Sequence, residues 1–398
     1  MHHIISKVLL NMKGPEHADR LTKSPYLCSI IVASLFWSSY VWWSRFVLNA
    51  AEGYHGTVLF CGIGILLTSW NFFRAITLDP GHVPRPSGET ELKDQIEALV
   101  DATSFNGMNF CLPCLARRPL RSKHSHATQR CTARFDHYCP WVWNDVGFNN
   151  HRQFLLFVSC MVLSILLFLR LTVAYFGASA PELPADATCV LPSVLCTASH
   201  FDTFALAVAS WLALQLSWTV ILLGAQLWQV CRQMTTLEVS NVGRYGYMGG
   251  KPGVSAAAQQ GMADGHVHGP ECNHGPASGA RKKGKLAFLA KILGIDRFTE
   301  GKAAEGLRKA GEVGNPFDLG VLANCRDFWT RGRELGVDYG ALYDIPTGGF
   351  QRARRDRRRR EAEEDKGPGG VGGPRLTSSG ARGGTRGKGY ERVAMEEV

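Results

Sequence analysis

Ionisable side chains are almost missing from four long stretches of this 398-residue sequence. The stretches run from Tyr26 to Leu48, Thr57 to Leu78, Phe154 to Phe176 and Phe204 to Val230. Each is about as long as a helix needs to cross ~30 Å of hydrocarbon at roughly 1.5 Å per residue. One holds the run FLLFVSCMVLSILLFL, which no soluble core helix requires. The pattern predicts an all-α polytopic membrane protein with four transmembrane helices. The same lack of mid-span charge excludes a transporter or channel, whose path needs ionisable groups. Arg74 and Arg170 fall near span ends, where their stems reach the headgroups.

Lys and Arg are also absent from the short connections 49–55 and 177–203, while 79–153 and everything after Val230 are rich in both. Positive loops stay in the cytosol, so both termini and the central segment are expected there. The first apolar block is too long for a cleavable signal peptide and has no small-residue cleavage site. The expected division is a cytosolic N-terminal segment 1–24, spans one and two in 25–78, a cytosolic cysteine-rich domain 79–153, spans three and four with a short lumenal loop in 154–230, a cytosolic tail 231–346 and a disordered basic tail 347–398. Residues 239–280 show no period and read as a linker, with HVHGPECNH a solvated low-complexity tract rather than a metal site. Leu286, Leu289, Ala290 and Leu293 share one helical face beside the basic run Arg281–Lys285; such a helix suits either an anionic leaflet or packing on the cytosolic domain. The positive block Arg352–Arg360 is explained by disorder near an acidic membrane surface, and no nucleic-acid partner is expected.

The twelve cysteines divide by side of the membrane. Cys189 and Cys196 face the lumen, as a disulfide or as free thiols. In the reducing cytosol Cys111 and Cys114 form a C-x2-C turn, and His124 and Cys131 follow it. Three thiolates and an imidazole close a tetrahedral structural zinc site, and a short polar segment with little core needs such a staple. Cys139 is left over. A thiolate suits thioester exchange, because acyl-CoA is itself a thioester. His137 is placed to take the thiol proton, and Asp136 to hold the imidazole tautomer and stabilise the imidazolium.

The stretch resembles the DHHC cysteine-rich domain of protein S-acyltransferases, in which Asp-His-His-Cys precedes Pro-Trp as Asp136, His137, Tyr138, Cys139, Pro140 and Trp141 run here. Asp79-Pro80-Gly81 after the second span, Thr235-Thr236-Leu237-Glu238 after the fourth, and Asn315-Pro316-Phe317 with Gly320, Asn324 and Phe328 in the tail also match that family. Taken alone, the first reads as a turn and the second as a helix-capping box. The resemblance implies that Asn150 holds the domain against the tail. It also implies a second zinc, whose ligands would fall at Ser125, Thr128, Tyr138 and Asp145; those four residues are no ligand set, so one structural zinc is expected. PLRSK, RFDHYCPW, NDVG and NNH are similar to the fungal ankyrin-repeat-containing palmitoyltransferases. The likeness covers roughly residues 23–346, so the chain corresponds to the catalytic C-terminal portion of such an enzyme, without the ankyrin repeats and two further spans.

The expected activity is protein S-palmitoylation: a ping-pong transfer of a long-chain acyl group from palmitoyl-CoA, the co-substrate, to Cys139 and then to cysteines of membrane-proximal proteins. Golgi or early endosome is the compartment the resemblance implies. Arg121, Lys123 and Arg134 are either contacts for CoA phosphates or ordinary positive-inside charge. The alternative function is a zinc-containing membrane scaffold or trafficking adaptor that has lost catalysis.

Overall fold

Each apolar stretch becomes one long helix. The structure, a computed structural model, describes residues 23–49, 53–181, 192–245 and 315–331, with 342, 343, 355 and 359. Helix α1 (Tyr26–Val41) runs on through a π-helical turn, Trp42–Val47, and is followed by α2 (His55–Thr77). After the central domain come α4 (His151–Ser179), a short α5 (Ser193–Phe201) and α6 (Thr203–Cys231). The four long helices, α1 with its π turn, α2, α4 and α6, have the length and hydropathy of membrane spans. Large apolar side chains such as Leu66, Trp70, Leu163 and Val173 point outward, as lipid-facing positions should.

Without a hydrophobic drive between helices in lipid, small and polar residues do the joining. Gly64 of α2 lets α4 come close: a Cβ there would sit 2.5 Å from Ser164 Oγ. Thr68 Oγ1 meets the same hydroxyl at 3.2 Å. On the other side, Trp211 and Gln215 of α6 both donate to Ser34 Oγ of α1, at 2.8 and 3.0 Å. Arg45 of the π turn pairs with Asp202, the N-cap of α6, at 2.6 Å. That ion pair closes the end of the bundle remote from the cysteine-rich domain.

The domain packs on the other end. It adds three hairpins too short for any sequence period to reveal: β1 (Phe110–Cys111) with β2 (Ala116–Arg117), β3 (Lys123–Ser125) with β4 (Arg130–Thr132), and β5 (His137–Cys139) with β6 (Asn144–Val146). One amphipathic helix, α3 (Glu89–Asp101), precedes them. The last carbonyls of any helix lack intrahelical partners. For α2 they are met from the domain, where Asn144 Nδ2 reaches the carbonyls of Ala75, Ile76 and Leu78 at 3.2, 3.1 and 3.0 Å. Asp79 caps the following turn by accepting from the N–H groups of Gly81 and His82 at 2.8 and 2.7 Å. Gly147 lies so close to this turn that a Cβ would come within 2.6 Å of the Pro80 carbonyl.

After α6, Thr235 and Glu238 form a reciprocal capping box on α7 (Thr236–Tyr245): Thr235 N donates to Glu238 Oε2 and Glu238 N to Thr235 Oγ1, at 2.9 and 3.3 Å. The tail returns as α8 (Val321–Arg331), held by Asn315 and Asn324, whose amides donate to the Arg232 and Cys231 carbonyls at 2.6 and 2.8 Å. Asn150 does not do this work. Its amide goes to Asp145 O and Ala75 O, at 2.8 and 3.4 Å, and its side-chain oxygen accepts from Gly147 N at 2.9 Å, so it joins β6 to span α2 rather than to the tail. The HVHGPECNH tract and the 285–293 segment lie outside the described residues. Cys196 is disulfide-bonded, and Cys189 is outside the described residues.

Candidate active site and metal centre

Among the described residues, Cys111, Cys114, His124 and Cys131 bring four ligand atoms within 4.8 Å of one another. The C-x2-C turn between β1 and β2 supplies two thiols, and the paired positions His124 and Cys131 of the β3–β4 hairpin supply the rest. His124 presents Nδ1, at 3.2 Å from Cys114 Sγ and 3.6 Å from Cys111 Sγ. A tetrahedral zinc with three thiolates and one imidazole has edges of ~3.6–3.8 Å. Donor types and spacing therefore fit that ion.

The other four positions hold something else. Asp145 is fully buried on β6 and accepts hydrogen bonds from Ser125, Thr128 and Thr132 at 2.8, 2.7 and 3.0 Å. Tyr138 stands opposite Asp145 in the β5–β6 register, its hydroxyl pushed up to about 12, chiefly by burial. Hydroxyl groups that donate to a carboxylate are not a zinc cage. A polar cluster of three hydroxyls on one carboxylate joins the two hairpins here.

Strand β5 places the reactive residues. Alternation along a strand puts His137 and Cys139 on one face and turns Tyr138 to the other. His137 hydrogen-bonds Cys139 on one side and, through Nδ1, Asp136 Oδ2 at 2.6 Å on the other. Burial opposes charge on this ring, yet the hydrogen bonds and negative charge of Asp136 and Cys139 prevail and raise it to about 10. Burial would also raise Asp136, but the His137 imidazole and the Thr236 N–H hold its carboxyl well below the usual range. Thr236 donates to it twice, from its backbone at 2.7 Å and its hydroxyl at 2.9 Å. Thr236, inside the Thr235–Glu238 segment but outside its capping box, thus gives that segment a second task, which its sequence did not reveal.

Cys139 is 5 % exposed and belongs to the same apolar cluster as Cys28, Ile31, Ile65 and Met161 of the spans. The following turn is pinned to α6 by Trp141 stacked on Trp218, with centroids 5.6 Å apart. Between the spans lies a small cavity of about 30 Å³, lined by Ile31, Ile65, Met161 and Phe168 with Ser34 and Gln215. The basic residues proposed for CoA are engaged elsewhere. Arg121 grips Glu238 at 2.6 and 2.7 Å, Arg134 is buried with Nη2 on Gln233 Oε1, and Lys123 lies over the Phe135 ring.

Residues 104–242 match the family described as DHHC palmitoyltransferase. The chain carries a DHHC palmitoyltransferase domain. The domain match takes in the metal quartet, Cys139 and the capping box, and ends inside α7. Beyond it, the chain is 34 % identical over 348 residues to Palmitoyltransferase AKR1 of Yarrowia lipolytica, covering 82 % of this chain and 47 % of that protein. It is 34 % identical over 371 residues to Palmitoyltransferase AKR1 of Gibberella zeae, covering 86 % and 50 %. With Palmitoyltransferase AKR1 of Mortierella alpina it shares 27 % over 397 residues, covering 88 % and 69 %. The chain spans about half the length of the first two.

Proposed function

We propose that this protein is a protein-cysteine S-palmitoyltransferase working by ping-pong transfer. The observation that carries the reading is the position of Cys139: its sulfur meets His137 on one side and the apolar cluster of the spans on the other. Asp136, His137 and Cys139 are the catalytic residues in this reading. With His137 holding the proton, the Cys139 sulfur attacks the acyl-CoA carbonyl, the C–S bond to CoA breaks, and His137 returns the proton to the departing CoA sulfur. In the second half the acceptor thiol gives its proton to His137 and attacks the Cys139 thioester, and Cys139 leaves. Each half exchanges one thioester for another, so the chemistry is close to isoenergetic.

The cavity between the spans supports a long acyl chain as the transferred group. Its walls are mostly apolar and it continues the apolar cluster to which Cys139 belongs. A chain lying there is already dissolved in the bilayer's own medium, at ~0.8 kcal/mol per buried CH2. One zinc held by Cys111, Cys114, His124 and Cys131 would supply folding free energy, not chemistry. The acceptors are cysteines of cytosolic or peripheral membrane proteins close to the bilayer. Similarity to the fungal palmitoyltransferases supports an endomembrane location, Golgi or early endosome. The intact Asp136, His137 and Cys139 arrangement favours catalysis over a scaffold.

The test is autoacylation. The full chain in detergent, given labelled palmitoyl-CoA, is expected to gain a hydroxylamine-sensitive label that Cys139→Ser lacks. Label that persists in Cys139→Ser, or never forms in a well-folded wild type, rejects the reading.

A further inference from the structure

The carboxylate of Asp136 is held by more than the imidazole it serves and the Thr236 cap. A third donor comes from inside span α6, where the Gln226 amide, only 2 % exposed, lies 3.2 Å from Asp136 Oδ2. A carboxylate accepts and never donates, so the NH2 end of Gln226 must face it. Its other hydrogen goes to Thr236 Oγ1 at 3.2 Å. The amide oxygen is thereby turned to His151, whose Nε2 stands 2.6 Å away. An amide oxygen only accepts, so the network assigns the His151 proton to Nε2. The remaining nitrogen, Nδ1, is buried without a hydrogen-bond partner. The ring is wedged edge-to-face against Phe328 of the tail helix, centroids 5.2 Å apart. Nothing in the metal centre or the acyl cavity uses this imidazole or this amide.

We infer that Gln226 and His151 are positioning residues for the catalytic base. The His151 Nε2–H orients the Gln226 amide, the amide orients Asp136, and Asp136 orients the His137 ring toward Cys139. Neither residue touches the reacting atoms. The inference rests on the reading of Cys139 as nucleophile with His137 as its base. In water an amide and a carboxylate rotate freely; at this site each group is left one orientation by the next, which is what preorganised catalysis requires. Loss of the His151 donor frees the amide to turn, and a turned amide presents its oxygen to a carboxylate.

The experiment measures iodoacetamide alkylation of Cys139 in the detergent-solubilised full chain by peptide mapping, with acyl-enzyme formation from palmitoyl-CoA run beside it. His151→Phe keeps the ring contact with Phe328 and deletes the donor; His151→Gln keeps a donor at the position of Nε2. His151→Phe and Gln226→Leu are each expected to slow alkylation about tenfold, less than the ~10²- to 10⁴-fold that the base itself contributes, because each leaves His137 in place. His151→Gln is expected to recover most of that loss. The double variant is expected to be no slower than Gln226→Leu alone, because His151 acts only through the amide. Zinc content should not change in any of them. Wild-type alkylation in His151→Phe, or a double variant slowed by the product of the two single effects, overturns the inference. Should His151→Phe fail to retain zinc, the comparison of Gln226→Leu with Gln226→Leu/His151→Gln decides: a further loss on adding the second change refutes an action through the amide. Because alkylation needs no acyl-CoA, a wild type that alkylates at Cys139 yet forms no acyl-enzyme rejects acyl transfer and leaves the positioning result standing.

Discussion

Ser125 donates its hydroxyl to Asp145 Oδ1 at 2.8 Å, tying the hairpin that carries His124 to the hairpin that carries Cys139. Thr128 and Thr132 complete the tie on Oδ2, at 2.7 and 3.0 Å. All the donors lie in the β3–β4 hairpin and the acceptor lies on β6. The join is made by short polar side chains at the place where a second metal would otherwise sit.

Purified protein should therefore contain one zinc per chain, measured by inductively coupled plasma mass spectrometry. Two would show that the Asp145 cluster binds metal after all. Cys131→Ala should remove the ion and lower the yield of folded protein while Cys139 itself stays intact.

Asp145→Ala should be costly, because three hydroxyls lose a charged acceptor at once. A loss of roughly 3 kcal/mol is expected, the size of one or two hydrogen bonds to a charged group, read as a fall in melting temperature. Tyr138→His should gain no second zinc, since Ser125, Thr128 and Asp145 offer it no thiolate partners. A second equivalent of metal in that variant would contradict the description of the cluster.

Arg121 and Glu238 form the main charged link between the domain and α7, with side chains only 11 % and 7 % exposed. Arg121→Ala leaves Glu238 buried without its cation and should cost about 3–5 kcal/mol. Arg121→Lys should recover only part of this, because an ammonium cannot reproduce the two parallel bonds. Equal melting temperatures for wild type and Arg121→Lys would show that fork geometry is unimportant.

The pH behaviour follows from two opposite displacements. His137 is raised from its ordinary 6.5 to about 10, so its stabilising contribution is complete below pH ~6.5 and fades as the pH climbs towards 10. Asp136 is depressed, so its contribution is present above the normal carboxylate range and lost in acid. The melting-temperature gap between wild type and His137→Ala should therefore shrink as pH rises from 7 towards 10. A gap that widens over that window would reverse the assigned sign. At neutral pH the same variant should form acyl-enzyme about 10²- to 10⁴-fold more slowly.

The spans were legible because hydrocarbon imposes one rule on every residue: the expected stretch from Thr57 to Leu78 and the helix His55–Thr77 differ by a residue or two at each end. The metal quartet was legible because ligand chemistry admits few residue types. Asn150 was misread for a local reason: a resemblance gives a residue's identity but not its partners, and its amide turns toward α2 and β6. Gln226 and His151 were hidden because an amide in an apolar run and a histidine at a helix start each have commoner explanations. Only folding brings Nε2 of one to 2.6 Å from Oε1 of the other. Arg45 and Asp202 escaped notice likewise, being 157 residues apart.

Asn144 faces Cys139 across the β5–β6 hairpin and caps the end of α2 with one amide. The height of the sulfur above the membrane midplane is therefore gauged from the last turn of the second span. Each residue added to or removed from that helix would shift the hairpin by ~1.5 Å along its axis and rotate it by about a quarter turn or slightly more. The length of α2 thus behaves as a vernier for the nucleophile, set by a stretch of sequence that contains none of the reacting groups.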